Sequence, residues 1–314
     1  MVDPDTERLL AHVAANPLPD ITLLPLEAAR ADTTLMEVMA TLATTPPAPS
    51  PAVAEVRNIE VPTPVGTVPV RLYRPAAENP PLLVWTHGGG FVFGNLDSAD
   101  PSARELCAGA GALVASVDYP LAPEHPYPAA PEASYAVTAW LAERADALGF
   151  DGERIAVGGD SAGGNLAAVT TLLAAERGGP RIAFQLLVYP MIDMVGDHPS
   201  MRENADGYML SASRVEWFIR KYLPEGSDRT DPHISPIYAD LRGLPPAAVI
   251  TAELDPVRDE AEAYAARLRE AGVAVELTRH EGLIHGFLRM GDLSPRSRSA
   301  TAAAVASLRA AMTG

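Results

Sequence analysis

The chain has one cysteine, Cys107, in 314 residues. No disulfide can form within it, and a cysteine-ligated metal site is not expected. Lysine is equally scarce: Lys221 stands alone among 24 basic residues, which face 40 acidic ones for a formal net charge of −16. A surface of that sign repels phosphate backbones and anionic headgroups, so neither nucleic acid nor a membrane is an expected partner. No apolar run approaches the roughly 20 residues that a spanning helix needs. Residues 1–7 are acidic and carry no basic region followed by an apolar one, so no secretory signal is expected and a cytoplasmic address is the simplest reading. The phosphate-loop pattern Gly-x-x-x-x-Gly-Lys-Ser/Thr is missing, as is any His-x-x-x-His or Glu-x-x-His on a helical stretch. No nucleotide, metal or other cofactor is therefore expected.

What the chain does have is apolar content, 47% of residues, enough for a sizeable core. Residues 1–44 read as helical, with Leu9, Leu10 and Val13, then Leu35, Val38 and Met39, at helical spacing. The run Thr-Thr-Pro-Pro-Ala-Pro-Ser-Pro at 44–51 cannot continue a helix and reads as a linker. Segments 55–61 and 68–73 alternate in polarity around Pro64-Val65-Gly66, a hairpin pattern. Beyond it, strand candidates at 82–86, 112–117, 154–158, 184–189, 247–251 and 273–278 alternate with helix candidates that include 130–148, 166–175 and 259–271. That order predicts an α/β fold, a mostly parallel sheet covered by helices on both faces. Between 189 and 247 no strand is read. Ser213-Arg214-Val215-Glu216 there has the form of a capping box, ahead of a helix carrying Trp217, Phe218 and Tyr222. Residues 192–235 thus read as an insertion, part of a cap, whose aromatics either line an acyl entrance or pack on the body.

Gly159-Asp160-Ser161-Ala162-Gly163-Gly164 follows one apolar strand and opens a helix. In that context Gly-x-Ser-x-Gly is a nucleophile elbow: the serine takes strained backbone angles, and a Cβ two residues to either side would strike a neighbouring strand or helix. The turn puts the hydroxyl at a helix N-terminus, where free N–H groups and the dipole favour a developing oxyanion. His87-Gly88-Gly89-Gly90-Phe91 follows the strand at 82–86. Gly88, Gly89 and Gly90 with Ala162 form the candidate oxyanion hole, the N–H groups of Gly89, Gly90 and Ala162 being its donors.

A serine nucleophile needs a base and the base an orienting acid, in the chain order Ser, Asp or Glu, His. His198 and His233 fall in the suspected cap and His280 closes a strand. His285, in Glu281-Gly282-Leu283-Ile284-His285-Gly286-Phe287, reads as a loop residue past the last strand and is the candidate base. Asp255 follows the strand at 247–251 and is the candidate acid. Glu253 is its near rival, while Asp259 suits a helix N-terminus. Glu124-His125, among prolines, reads as a rigid loop.

Together, His87-Gly88-Gly89-Gly90, the elbow, Asp255-Pro256-Val257-Arg258-Asp259 and His285-Gly286-Phe287 resemble the motifs of the hormone-sensitive-lipase-like (bacterial family IV) esterases of the α/β-hydrolase fold. Tyr119-Pro120-Leu121-Ala122-Pro123-Glu124-His125-Pro126-Tyr127-Pro128-Ala129 is similar to a further family motif, which usually has arginine where Pro120 stands. The resemblance spans about residues 50–314. It implies an eight-stranded sheet, a helical cap from residues 1–50 over a catalytic domain at 51–314, and hydrolysis of short- to medium-chain acyl esters. A homodimer is a further possibility it carries. The other readings are a catalytically idle receptor on the same fold, or an acyltransferase or peptidase using the same triad. An intact Ser, Asp and His with oxyanion glycines weighs against the receptor, since binding alone needs no triad.

Overall fold

The computed structural model describes residues 1–44 and 49–313, so half of the proline-rich run expected as a linker, residues 45–48, lies outside the described residues. Three helices come first, α1 (Pro4–Ala15), α2 (Leu26–Ala31) and α3 (Thr34–Leu42). The hairpin β1 (Glu55–Thr63) and β2 (Gly66–Arg74) follows, then β3 (Pro81–Thr86), α4 (Leu96–Ala110), β4 (Leu113–Val117), α5 (Ala129–Ala142), α6 (Ala145–Leu148) and β5 (Asp151–Asp160). The remaining elements are α7 (Ala162–Arg177), β6 (Phe184–Val188), α8 (Pro199–Glu203), α9 (Ala212–Tyr222), β7 (Ala247–Leu254), α10 (Arg258–Glu270), β8 (Val275–Ile284) and α11 (Pro295–Met312). The eight strands form one sheet in the order β1-β2-β4-β3-β5-β6-β7-β8. β2 is antiparallel to both its neighbours, and the six strands from β4 to β8 in that order run parallel.

Strand alternation sets the two cores. Leu82 and Val84 of β3 join the cluster beneath α5, α7 and α10, while Leu83 and Trp85 join the one beneath α4 and α11. Both faces being buried, these strands read as continuous apolar runs. α7 is enclosed almost all round, with residues 162–174 all buried, and its Ala and Gly residues let it lie close against the sheet. It is the rigid support of the residue at its N-terminus, Ser161.

Four local expectations change. Residues 1–44 form three separate helices, and Leu9 and Met39 from two of them pack with Ile284, Met290 and Leu293 in a third apolar cluster. The helix expected over 130–148 breaks between α5 and α6, where the Arg144 guanidinium turns back to the Trp140 carbonyl at 3.1 Å and lies over its ring. Ser211, not Ser213, caps α9, accepting from Arg214 N at 3.2 Å. Glu216 is drawn instead into a bidentate pair with Arg229, at 2.9 Å for each bond. Finally, β8 runs on to Ile284, so residues 281–284 are strand and His285 follows it directly.

Candidate active site

Ser161 sits between β5 and α7 at φ 56° and ψ −120°. A non-glycine residue at positive φ costs about 1–3 kcal/mol and persists only where its surroundings fix it. Here Ser161 N donates to Val188 O at 2.9 Å, and Ser161 O accepts from Met191 N at 3.2 Å. The flanking glycines are required by contact. A Cβ on Gly159 would overlap the Gly163 backbone and come within 2.5 Å of Thr86 O, and one on Gly163 would lie 2.7 Å from His87 O.

The ends of β5, β7 and β8 bring three side chains into one hydrogen-bonded line. Ser161 Oγ lies 2.8 Å from His285 Nε2, and His285 Nδ1 lies 2.7 Å from Asp255 Oδ2. Asp255 is fully buried and its other carboxylate oxygen accepts from Val257 N at 3.0 Å. With Nδ1–H donating its hydrogen bond to this carboxylate, Nε2 is left to accept from the serine hydroxyl. Glu253 and Asp259 are engaged elsewhere: Glu253 accepts from Gly282 N at 2.7 Å, and Asp259 accepts from Ser200 N at 2.9 Å and pairs with Arg258. The other histidines stand apart. His198 pairs with Asp193, His233 with Glu176, and His280 is half-buried beside Phe287.

The glycine loop after β3 faces the elbow. Gly88, expected within the oxyanion hole, has its N–H taken up by Asp160 Oδ1 at 2.8 Å. Gly89 and Gly90 adopt φ 130° and 60°, and Phe91 follows at 64°. Among the described residues the N–H groups of Gly89, Gly90 and Ala162 donate to no protein acceptor. Gly89 and Gly90 line the same cavity as Ser161, and Ala162 follows the serine at the N-terminus of α7.

A cavity of about 490 Å³ opens over Ser161 and His285. Leu35, Met36 and Met39 of α3 line it from one side, and Val215 and Phe218 of α9 from another. The α9 aromatics divide between the two expected roles. Phe218 faces the cavity and packs over Gly90, where a Cβ would run into its ring. Tyr222 is buried and stacks on Phe91 at 3.8 Å, and Trp217 stacks on Phe93 at 6.0 Å. Cys107 packs within α4, its Sγ 3.2 Å from Tyr73 O, and burial pushes the thiol up to about 12. No group of His, Cys, Asp and Glu able to hold a metal ion occurs among the described residues, nor any helix long and apolar enough to cross a membrane.

A family model for the α/β-hydrolase fold matches residues 83–289. Carboxylesterase NlhH of Mycobacterium tuberculosis is 45% identical over 252 residues, 78% of this chain and 79% of that one. Ethyl acetate hydrolase of Pseudomonas putida is 42% identical over 235 residues, 72% and 73% of the two chains. Among solved structures, an esterase from Pyrobaculum calidifontis superposes with a TM-score of 0.88 at 38% identity, over 99% of both chains. This chain belongs to the hormone-sensitive-lipase-like esterases of the α/β-hydrolase fold. It is a carboxylesterase.

In this esterase two residues that hold the site were not singled out from the sequence. Asp160 fixes Gly88, and Asn204 Nδ2 donates to Asp255 O at 3.1 Å. Asp160 had a usable signal, its place inside the elbow motif. Asn204 had none, because it reaches Asp255 from the residue that follows α8, across 51 residues of chain.

His87 gives the esterase an acid-sensitive point. It is buried, stacked on Tyr119 at 4.4 Å, and hydrogen-bonded through Nδ1 to Gly88 O at 2.8 Å. Burial pushes its imidazole from the ordinary 6.5 down to about 4, so it is neutral at pH 7. Between those values the unfolded chain binds a proton that the folded one refuses, and stability is lost as pH falls through that window. At about 1.4 kcal/mol per unit the loss reaches about 3 kcal/mol near pH 4. Asp240, held at about 2 by Arg242, loses its contribution only below 3.8 and so outside the window. His280, also lowered by burial, adds to this loss, and buried Glu260, raised well above its ordinary value, opposes it. In thermal unfolding followed from pH 7 to 4, His87→Gln should therefore lose less Tm than the wild type does. Equal slopes in both proteins would remove His87 as a source.

Proposed function

We propose that this carboxylesterase hydrolyses short- to medium-chain acyl esters through an acyl-enzyme, with Ser161 as nucleophile, His285 as general base and Asp255 as its orienting acid. The observation that carries this reading is the unbroken line from Ser161 Oγ through His285 to buried Asp255, at 2.8 and 2.7 Å, at the floor of an apolar cavity. Ser161 Oγ attacks the acyl carbonyl while Nε2 takes its proton. The carbonyl oxygen becomes the oxyanion and accepts from Gly89, Gly90 and Ala162 N–H. His285 then protonates the leaving alcohol, and water, activated by the same imidazole, releases the acid. Asp255 keeps the imidazole in the required tautomer and stabilises its charged form without taking the proton.

Residues 1–50 and the insertion at 192–235 act as the cap of this site, contributing the Met and Phe side chains that exclude water from the acyl group. A cavity of this size lies in the range typical of small-molecule sites, about 300–1,000 Å³, and the name of the Pseudomonas putida relative, ethyl acetate hydrolase, agrees with a short acyl preference. The test is turnover of p-nitrophenyl esters from acetate to palmitate. Rates should peak at short or medium chains and fall steeply toward palmitate. A peak at palmitate would make the cavity a long-chain site, and no turnover of any ester by folded protein would end the proposal.

A further inference from the structure

The loop that carries Gly89 and Gly90 holds one strained residue, Phe91, among glycines that adopt left-handed backbone freely. Gly89, Gly90, Phe91 and Gly94 all have positive φ, and Phe91 at 64° is not a glycine. Such a loop keeps one shape only if something outside it over-determines the shape. Part of the hold is local: Val92 N and Phe93 N donate to Gly89 O at 3.1 and 2.9 Å, and Ala122 N donates to Phe91 O at 2.9 Å. Asp160, Tyr222 and Trp217 hold it from the catalytic domain and α9, and Arg30 in α2 holds it from the N-terminal segment. Its Nε donates to Val92 O at 2.9 Å and its Nη2 to Ala122 O at 3.0 Å, so the guanidinium bridges carbonyls on both sides of the Ala122–Phe91 bond. Glu124 closes the fork from behind, bidentate at 2.8 Å to Nη1 and Nη2, and these hydrogen bonds from Arg30 hold its carboxyl below the usual range. A planar guanidinium satisfies these three partners at once in a way no lysine can.

We infer that Arg30 is a positioning residue of the catalytic cycle: from the N-terminal segment it fixes the loop whose Gly89 and Gly90 amides receive the oxyanion. This inference rests on the proposed serine-esterase reading and assigns a task to residues 30 and 124 within it. Arg30 lines the cavity but makes no hydrogen bond to Ser161, Asp255 or His285. Its effect is to keep two donors aimed, and a donor that drifts weakens the transition state more than the bound ester. Glu124, in the proline-rich loop, acquires a purpose beyond shape, since it orients the guanidinium.

The experiment compares Arg30→Gln, Arg30→Lys and Glu124→Gln with the wild-type protein. A fourth variant, Arg8→Gln, removes a different tie in the N-terminal segment, the 2.8 Å bond from Arg8 to Leu42 O, and reaches neither the loop nor the cavity. Arg30→Gln should lower kcat about 10-fold or more with KM changed less than about 3-fold, a fraction of the loss seen when a whole oxyanion donor is removed. Arg30→Lys should restore part of that loss, and Glu124→Gln should fall between it and wild type.

The second readout is a trifluoromethyl ketone. Ser161 Oγ adds to its carbonyl carbon, the hydroxyl proton passes to His285, and the carbonyl oxygen becomes the oxyanion. Its inhibition constant should rise in Arg30→Gln by the same factor as kcat/KM falls. Unchanged kcat with a lowered Tm, or a raised KM at constant kcat, would reduce Arg30 to a structural or binding role. Equal losses in Arg8→Gln would assign the effect to general loosening of the segment. Each of these outcomes overturns the inference while leaving the esterase reading intact. Absence of Ser161-dependent turnover in the wild type would instead strike the reading on which it rests.

Discussion

Ser161→Ala should remain folded and lose about 10⁵–10⁶-fold in kcat toward p-nitrophenyl butyrate, the scale on which serine hydrolases lose their nucleophile. The hydroxyl is small, and an alanine keeps the Cβ, the helix start and the backbone bonds at Val188 O and Met191 N. The strain at φ 56° is present with either residue, so the substitution neither relieves nor adds to it. The one bond lost is that to His285 Nε2, at 2.8 Å, which water can replace at the cavity floor. Tm should thus move by little while turnover collapses. The residual rate reports what the oxyanion donors and substrate binding contribute without covalent catalysis, typically about 10³–10⁴ over water. A variant that kept more than about one-hundredth of wild-type activity would assign the nucleophile elsewhere, since no second serine shares this geometry with a histidine among the described residues.

Where sequence and structure agree, the cause is local backbone demand. Gly159, Gly163 and the run Gly88–Gly90 are legible because a strained turn and close approach to a neighbouring strand leave no space for a Cβ, so the pattern announces the geometry. The positions of Asp255 and His285 follow from chain order and from lying past strand ends. The disagreements have a common origin in partners distant along the chain. Gly88 reads as part of the oxyanion hole, but its N–H direction is set by Asp160, 72 residues away. Glu281 and Gly282 look like a loop, yet Gly282 N is held by Glu253 and Gly282 O accepts from Asp3 N at 3.0 Å, which extends β8 to the edge of the site. Ser213 and Glu216 satisfy the capping-box pattern, and only the Arg229 partner decides that Ser211 caps the helix instead. The Arg30 clasp joins residues 30, 92, 122 and 124, a set with no shared spacing to reveal it.

Gly163→Ala tests the closest of these approaches and should be the most damaging methyl group in the protein. Its Cβ would overlap Thr86 O and stand 2.5 Å from Thr86 C and 2.7 Å from His87 O. All of those atoms are backbone, and none can swing aside as a side chain would. Thr86 is paired in the centre of the sheet, with Val117 on one side and Gly159 on the other. Its hydroxyl also donates to Gly163 O at 2.7 Å, tying the same two segments together. Relief therefore requires α7 to back away from β3, which takes Ser161 with it and separates the elbow from the glycine loop. A clash of this kind belongs to the rare substitutions costing more than about 4 kcal/mol, a large share of the roughly 5–15 kcal/mol that keeps a domain folded. Gly163→Ala should be insoluble, or fold with a Tm lowered by roughly 10 °C or more and with little esterase activity. Gly291→Ala is the matched control: its φ lies outside the left-handed region and the nearest heavy atom to a new Cβ is Arg298 Cβ at 4.0 Å. That variant should unfold within about 2 °C of wild type, as surface substitutions away from special contacts do. If Gly163→Ala matched it in Tm and in turnover, α7 would not lie against β3 as described, and the placement of Ser161 beside the glycine loop would have to be abandoned.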